Sequence, residues 1–236
     1  MLPSEGRVVM VSGANRGIGR AIAAKLQHAG YDLSLGARDP ATLDGVATGG
    51  GQVLRHAYEA SSAESAEEWV AATRHRFGRI DALVNVAGIM QPVSVEDGDE
   101  AALDAMWDVN VKGPYRLMHA AFDDLKEAGS GRIVTVVSLS GKRVKSADVG
   151  GYAMSKFAAL ALSHAARYAG WEHGIRCCAI CPGYVRTDMT AKVEAVDGAD
   201  MIQPEDLAEI VATVLALPNT ASVSEVPINC ILEHSF

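Results

Sequence analysis

Aromatic residues are scarce in this chain: Phe, Trp and Tyr make up 6% of its 236 residues, while glycine occurs 23 times. That balance suits tight turns between strands and helices better than a Trp- and Tyr-rich recognition surface. Cations are outnumbered, with 21 Lys and Arg against 29 Asp and Glu and a net charge of −8. Neutralising a phosphate polymer needs clustered cations, so no nucleic-acid partner is expected, nor docking on an anionic membrane. Long hydrophobic runs are missing. Runs such as 157–162 fall far short of the ~20 apolar residues that span a bilayer. Residues 1–7 hold no apolar stretch of the kind found in a secretory signal. The expectation is a soluble cytoplasmic protein. Cysteine is sparse too. Cys178 and Cys181 have the CxxC spacing of a metal or redox pair, but no second pair completes a zinc site. The run 175–180 reads as a buried strand in which Cys177 and Cys178 act as small hydrophobes. With Cys181 and Cys230 they are expected to be free thiols in a reducing compartment, and no metal is expected.

The composition that remains is ordinary for a globular protein, at 49% apolar and 21% charged. At this length roughly 70–75% of the unfolded chain's surface becomes buried. No linker, repeat or low-complexity tract interrupts the sequence, so 1–236 is expected to form one domain. Runs at 8–11, 31–35, 52–58, 81–86, 132–138, 175–181 and 226–230 read as strands. Helical spacing covers 19–29, 63–77, 100–125, 152–169 and 204–217, with Gly113-Pro114 as a bend or break in the third. The alternation predicts a three-layer α/β fold of the Rossmann type. A doubly wound, mostly parallel seven-stranded sheet would carry helices on both faces. Ligands of such sheets sit at the carboxyl ends of the strands, so functional motifs should directly follow strands.

The first strand leads into Ser12-Gly13-Ala14-Asn15-Arg16-Gly17-Ile18-Gly19. Gly13 permits a tight turn, Gly17 lets backbone approach a pyrophosphate, and Gly19 lets the helix pack close to the strand. The helix N-terminus behind them favours phosphate. A plain turn is the alternative, but the strand–loop–helix setting is the one a phosphate cradle requires. The GxxxGxG spacing resembles that of the short-chain dehydrogenase/reductase family, in its short single-domain branch. Four further stretches match that family in order. They are Asn85-Val86-Ala87-Gly88, Asn110, Tyr152-Ala153-Met154-Ser155-Lys156 and Pro182-Gly183-Tyr184-Val185-Arg186-Thr187. The resemblance runs over residues 6–232. It implies an oxidoreductase that interconverts a carbonyl (ketone or aldehyde) and an alcohol by hydride transfer from or to a nicotinamide cofactor.

The second strand ends at Ala37, the position where an acidic residue would hold the ribose of NAD, and Arg38 follows it. Its planar, permanently charged fork suits a 2′-phosphate. Arg16 adds a second cation and Asn15 a donor. In the family this pairing marks NADP users, so NADP (NADPH) is expected rather than NAD. The alternative is that Arg38 pairs with Asp39 on the surface. The resemblance also puts Glu59 and Ala60 near the adenine, with Glu where Asp is usual. It puts Ile18, Asn85, Ala87, Gly88, Pro182, Gly183, Val185 and Thr187 around the cofactor, Thr187 on the nicotinamide carboxamide.

Tyr152 and Lys156, four residues apart, share one helix face. A free phenol has a pKa near 10, too high for a base at neutral pH, and a neighbouring ammonium favours the phenolate. Alone, such a pair more often coats a helix. By resemblance Tyr152 is the acid of carbonyl reduction and the base of alcohol oxidation, and Lys156 holds the nicotinamide ribose. Asn110 then kinks its helix, and its backbone carbonyl holds a water that links Lys156 to solvent. A serine after the fifth strand would hold the substrate oxygen. The family's usual interval back from the Tyr lands on Leu139, between Ser138 and Ser140. Gly141, three residues after Ser138, favours Ser138, with Ser140 as the alternative.

Residues 188–203 form a short expected lid, and Met90, Tyr184 and Met189 are candidate substrate-lining residues. Lys142-Arg143-Val144-Lys145 sets three cations in four residues of an acidic chain. Either one of them, such as Lys142, meets an anionic group on the substrate, or the loop is simply solvated. The resemblance implies a small-molecule carbonyl or alcohol as substrate and a homodimer or homotetramer joined by the helices around Asn110 and Tyr152. Two other functions stay open: an NAD-dependent secondary-alcohol dehydrogenase, and a non-catalytic NADP-sensing protein.

Overall fold

A computed structural model describes residues 1–96 and 98–233. The seven strands are β1 (Val8–Ser12), β2 (Asp32–Ala37), β3 (Val53–Ala57), β4 (Ala82–Asn85), β5 (Arg132–Val136), β6 (Arg176–Pro182) and β7 (Glu225–Ile228). Every pairing between them is parallel, and their order is β3-β2-β1-β4-β5-β6-β7. The strand order reverses between β1 and β4, and there the carboxyl ends leave a crevice.

Among the described residues six α-helices cover the sheet: α1 (Gly17–His28), α2 (Ala63–Phe77), α3 (Glu100–Trp107), α4 (Gly113–Glu127), α5 (Gly150–Gly170) and α6 (Pro204–Ala216). The period of two along a strand fills the two layers. Val9 and Val11 of β1 enter the core beneath α1 and α6, while Met10 enters the opposite core with Leu117, Ala121 and Leu125 of α4. The helix ends follow local chemistry. Ser62 accepts from the Ser65 N–H (3.1 Å) to start α2, Gly78 at φ 75° ends it, and Pro204 opens α6.

The long helix expected over 100–125 is divided. A π-turn, Asp108–Lys112, separates α3 from α4, and the Gly113 N–H donates to the Asp108 carbonyl. The break therefore precedes Gly113-Pro114. Pro114 sits in the first turn of α4, directly after the π-turn. The other expected boundaries shift by a few residues at most. Cys177, Cys178 and Cys181 are buried free thiols and Cys230 is half-buried. Among the described residues no helix is long and apolar enough to cross a membrane, and no side-chain cluster could hold a metal.

Candidate active site

The β1–α1 turn is closed to side chains at two points. A Cβ on Gly13, whose φ is +65°, would come within 3.0 Å of the Ala87 backbone, and one on Gly19 would lie 2.1 Å from the Gly13 carbonyl. The turn is also tied to the one after β4. The Ser12 hydroxyl accepts from the N–H of Val86 (3.0 Å) and of Ala87 (3.2 Å). The result is a bare backbone surface at the start of α1, a cradle of the shape and polarity that receives a pyrophosphate.

At the end of β2, Arg38 is exposed. Asp39 accepts from the Ala41 N–H (3.0 Å), and no Arg38–Asp39 ion pair forms. Arg16 instead reaches across to Asp188 at 2.7 Å, an exposed pair. Asn15 is half-buried in the turn. Glu59 accepts from the Ser61 N–H (3.2 Å) and hydroxyl (3.0 Å), and Ala60 is buried beside Gly113. Asn85 is buried in β4; its amide nitrogen lies 3.5 Å from the Thr135 hydroxyl, and its Oδ1 has no partner among the described residues.

Beyond the cradle lies a cleft of about 520 Å3, open to solvent. It brings together Ile18, Gly88, Ser138, Tyr152, Lys156, Pro182, Gly183, Val185, Thr187 and Met189. The Lys156 ammonium stands 5.7 Å from the centre of the Tyr152 ring and donates to the Val136 carbonyl (3.1 Å). Burial pulls Lys156 down to about 8 and pushes the Tyr152 phenol up to about 12, partly offset by its hydrogen bond with Ser138. At neutral pH the phenol keeps its proton and can donate it to an oxygen in the cleft. Ser138 also accepts from the Ser140 N–H (3.0 Å), whereas Ser140 does not line the cleft. A Cβ on Gly141 would come within 2.7 Å of the Lys156 carbonyl, so this turn lies flush against α5.

Asn110 lies in the π-turn with its side-chain amide engaged on both sides. It accepts from the Ile89 N–H and donates to the Ile89 carbonyl and to the Ser155 hydroxyl, each at 2.9 Å. Ser155 in turn donates to the Tyr152 carbonyl (2.7 Å). Three residues with no assigned part in the sequence reading tie the site together: Ser12, Ser155 and Thr190. Thr190 contacts the Val185 carbonyl at 2.5 Å and accepts from the Thr187 N–H (3.1 Å). The three-residue spacing of Thr187 and Thr190, typical of a capping box, was the available signal.

Several candidates lie off the cleft. Met90 is exposed. Lys142 pairs with Glu225, whose other oxygen meets His164 Nε2 at 2.7 Å. Arg143 grips Glu233 through two nitrogens, Lys145 joins it at 2.8 Å, and the Lys145 ammonium lies 5.1 Å from the centre of the Tyr184 ring. The loop is thus engaged by carboxylates of the chain itself rather than freely solvated.

A profile of the short chain dehydrogenases matches residues 7–197. An agropine synthesis reductase of Rhizobium rhizogenes is 39% identical over 228 residues, covering 96% of this chain and 53% of that protein. The chain thus spans about half the length of the agropine synthesis reductases it matches. An uncharacterized oxidoreductase of Staphylococcus saprophyticus is 30% identical, with 97% of this chain and 99% of that protein aligned. An alcohol dehydrogenase of the archaeon Thermococcus sibiricus, solved with 5-hydroxy-NADP, is 32% identical with a TM-score of 0.85 over 94% of this chain and 95% of its own. A metagenomic short-chain oxidoreductase solved with NADP is 31% identical with a TM-score of 0.83, over 97% and 99%.

Proposed function

The chain belongs to the short-chain dehydrogenase/reductase family, and from that premise we propose that it is an NADP(H)-dependent oxidoreductase interconverting a carbonyl and an alcohol. The observation that carries this reading is the convergence of Ser138, Tyr152 and Lys156 on one cleft behind the glycine cradle. The residues fit a nicotinamide dinucleotide: the cradle excludes side chains at Gly13 and Gly19, and the Asn85 Oδ1 is a buried acceptor still open to a donor. Bound NADPH supplies the hydride. Ser138 orients the substrate oxygen and the Tyr152 phenol, Tyr152 delivers the proton, and the Lys156 ammonium favours the phenolate left behind. Asn110 positions Tyr152 through Ser155.

The two serines separate by experiment. Ser138→Ala is expected to lower turnover by about two to three orders of magnitude, because it removes a donor aimed at developing charge. Ser140→Ala leaves turnover within a few-fold, and steady-state kinetics in which Ser140→Ala is the damaged variant would reverse the assignment.

Arg38, exposed and without a partner among the described residues, supports NADP over NAD. One observation favours the NAD-dependent alternative, namely that Asp188 already engages Arg16. An exposed pair of this kind contributes about 0–1 kcal/mol, so a phosphate competes with it readily. Initial rates on a panel of ketones and aldehydes test the whole reading. NADPH should outperform NADH, and neutralising both Arg16 and Arg38 should raise KM for NADPH at least about tenfold with little change for NADH. Equal effects on the two cofactors, or no oxidation of NADPH on any carbonyl, would sink it. The exposed Tyr115, Met154, Phe157 and Tyr168 on α4 and α5 support a homodimer or homotetramer, and the free thiols support a cytoplasmic location.

A further inference from the structure

We infer that Arg143, Lys145 and Asn229 form a carboxylate subsite beside the cleft, and that Glu233 fills it as an internal placeholder which a carboxylated ketone or aldehyde displaces. This deepens the proposed carbonyl-reducing role and rests on it for the reacting group. The subsite is a complete receptor. Arg143 Nε and Nη2 meet the two Glu233 oxygens at 2.6 and 2.7 Å, Lys145 Nζ at 2.8 Å and Asn229 Nδ2 at 2.9 Å. A planar guanidinium fork with two further donors is the arrangement that recognises a carboxylate in two dimensions. Two cations, Arg143 and Lys145, face the single Glu233 carboxylate.

Glu233 is held there by charge together with the partial packing of Cys230 against the core. After β7 ends at Ile228, residues 229–233 add no backbone hydrogen bond to the sheet among the described residues. None of the five is fully buried, and Leu232 is fully exposed. A segment tied on by an ion pair can be exchanged for a ligand that offers the same group. The location serves the reaction. The 142–145 segment runs between the Ser138 turn and the helix that carries Tyr152, and Lys145 covers Tyr184, the residue after Pro182-Gly183 of the cleft wall. Asn229 lies against that wall too, where a Cβ on Gly183 would come within 2.8 Å of its Oδ1.

The full-length protein with NADP bound tests this by calorimetric titration with succinate, and with succinamide as the uncharged control. Glu233→Gln keeps the side-chain shape and removes the competing charge. It should bind succinate at least about tenfold more tightly than the parent protein, as expected when a subsite open about a tenth of the time becomes fully available. Succinamide should bind neither, and Arg143→Gln added to Glu233→Gln should abolish the gain. Glu233→Ala should repeat the result, which covers a misfolded Gln variant. Succinate binding no tighter in the Glu233 variants, or unaffected by Arg143→Gln, would overturn the proposal and leave the quartet as a strap alone. Because the readout is binding, failure to reduce any carbonyl would count against the carbonyl-reducing role without changing this result.

Discussion

Tyr152→Phe is expected to lower NADPH-dependent carbonyl reduction by about three orders of magnitude or more, within the range for removing a positioned proton donor. The phenol sits in the cleft with its pKa pushed up to about 12 by burial, so it is protonated at every pH of practical use. It therefore suits the acid of a reduction better than the resting base of an oxidation. In the oxidative direction the positive nicotinamide ring and the Lys156 ammonium would both favour the phenolate. The Phe ring keeps the packing, so the cofactor should bind within about twofold of the parent, as read by quenching of intrinsic fluorescence; only a hydroxyl is lost. A Phe variant that retains more than about a tenth of the turnover would remove Tyr152 as the proton donor and favour the non-catalytic, cofactor-sensing alternative.

Lys156→Met is expected to abolish turnover and to make the protein more stable. Burial lowers the Lys156 pKa from 10.5 to about 8. The unfolded chain therefore binds more protons than the folded one between those values, and this group's contribution makes stability rise with pH across that window. Below pH 8 the charge is buried at full cost, roughly 3 kcal/mol by linkage. Losing the bond to the Val136 carbonyl returns about 1 kcal/mol of that. The variant should melt about 4–8 °C higher at neutral pH. Scanning calorimetry from pH 7 to pH 10.5 checks the sign, because the gap between the two proteins should shrink as pH rises. The thiols of Cys177, Cys178 and Cys181, raised to about 12, 12 and 11, pull stability the other way above pH 9. Cys177 and Cys178 act alike in both proteins, whereas Cys181 feels the Lys156 charge, so the comparison is read most cleanly between pH 7 and 9. A Met variant less stable than the parent at pH 7 would show that Lys156 is not held against a desolvation cost.

The strands and most helices were legible because their signals are local. Val8 to Ser12 is an apolar run followed by glycines, and Ser62 and Gly78 punctuate α2. The cluster in the cleft was legible because Tyr152 and Lys156 lie on one helix turn, while Ser138 lies on the adjoining loop. Contacts between distant segments left no such trace. Glu225 meets Lys142 and Glu233 meets Arg143 across 83 and 90 residues, so three loop cations looked available for a substrate when the chain itself engages them. Arg38 offered two partners in sequence, and only the fold shows Asp39 spent on capping the next turn. Between Ser138 and Ser140 local pattern gave only the preference that Gly141 lends Ser138, since the choice depends on which hydroxyl the 3-10 turn Leu139–Gly141 aims into the cleft.

The π-turn, which the sequence marked only as a kink at Asn110 and a break at Gly113-Pro114, bears on what insertions and deletions this chain tolerates. Such a turn is an α-helix carrying one surplus residue. Through that surplus α3 turns Ala102 and Met106 toward Val93, while α4 turns Leu117, Ala121 and Leu125 toward the sheet. A regular helix over the same span would be one residue shorter and would swing its second half by about 100° relative to the first. Both buried faces and the Asn110 amide would then lose their registers together. Losing any single residue between Asp108 and Lys112 is thus a different class of lesion from losing one in an exposed loop. The helical rod would lengthen its run of regular hydrogen bonds and still lose its fit on both sides.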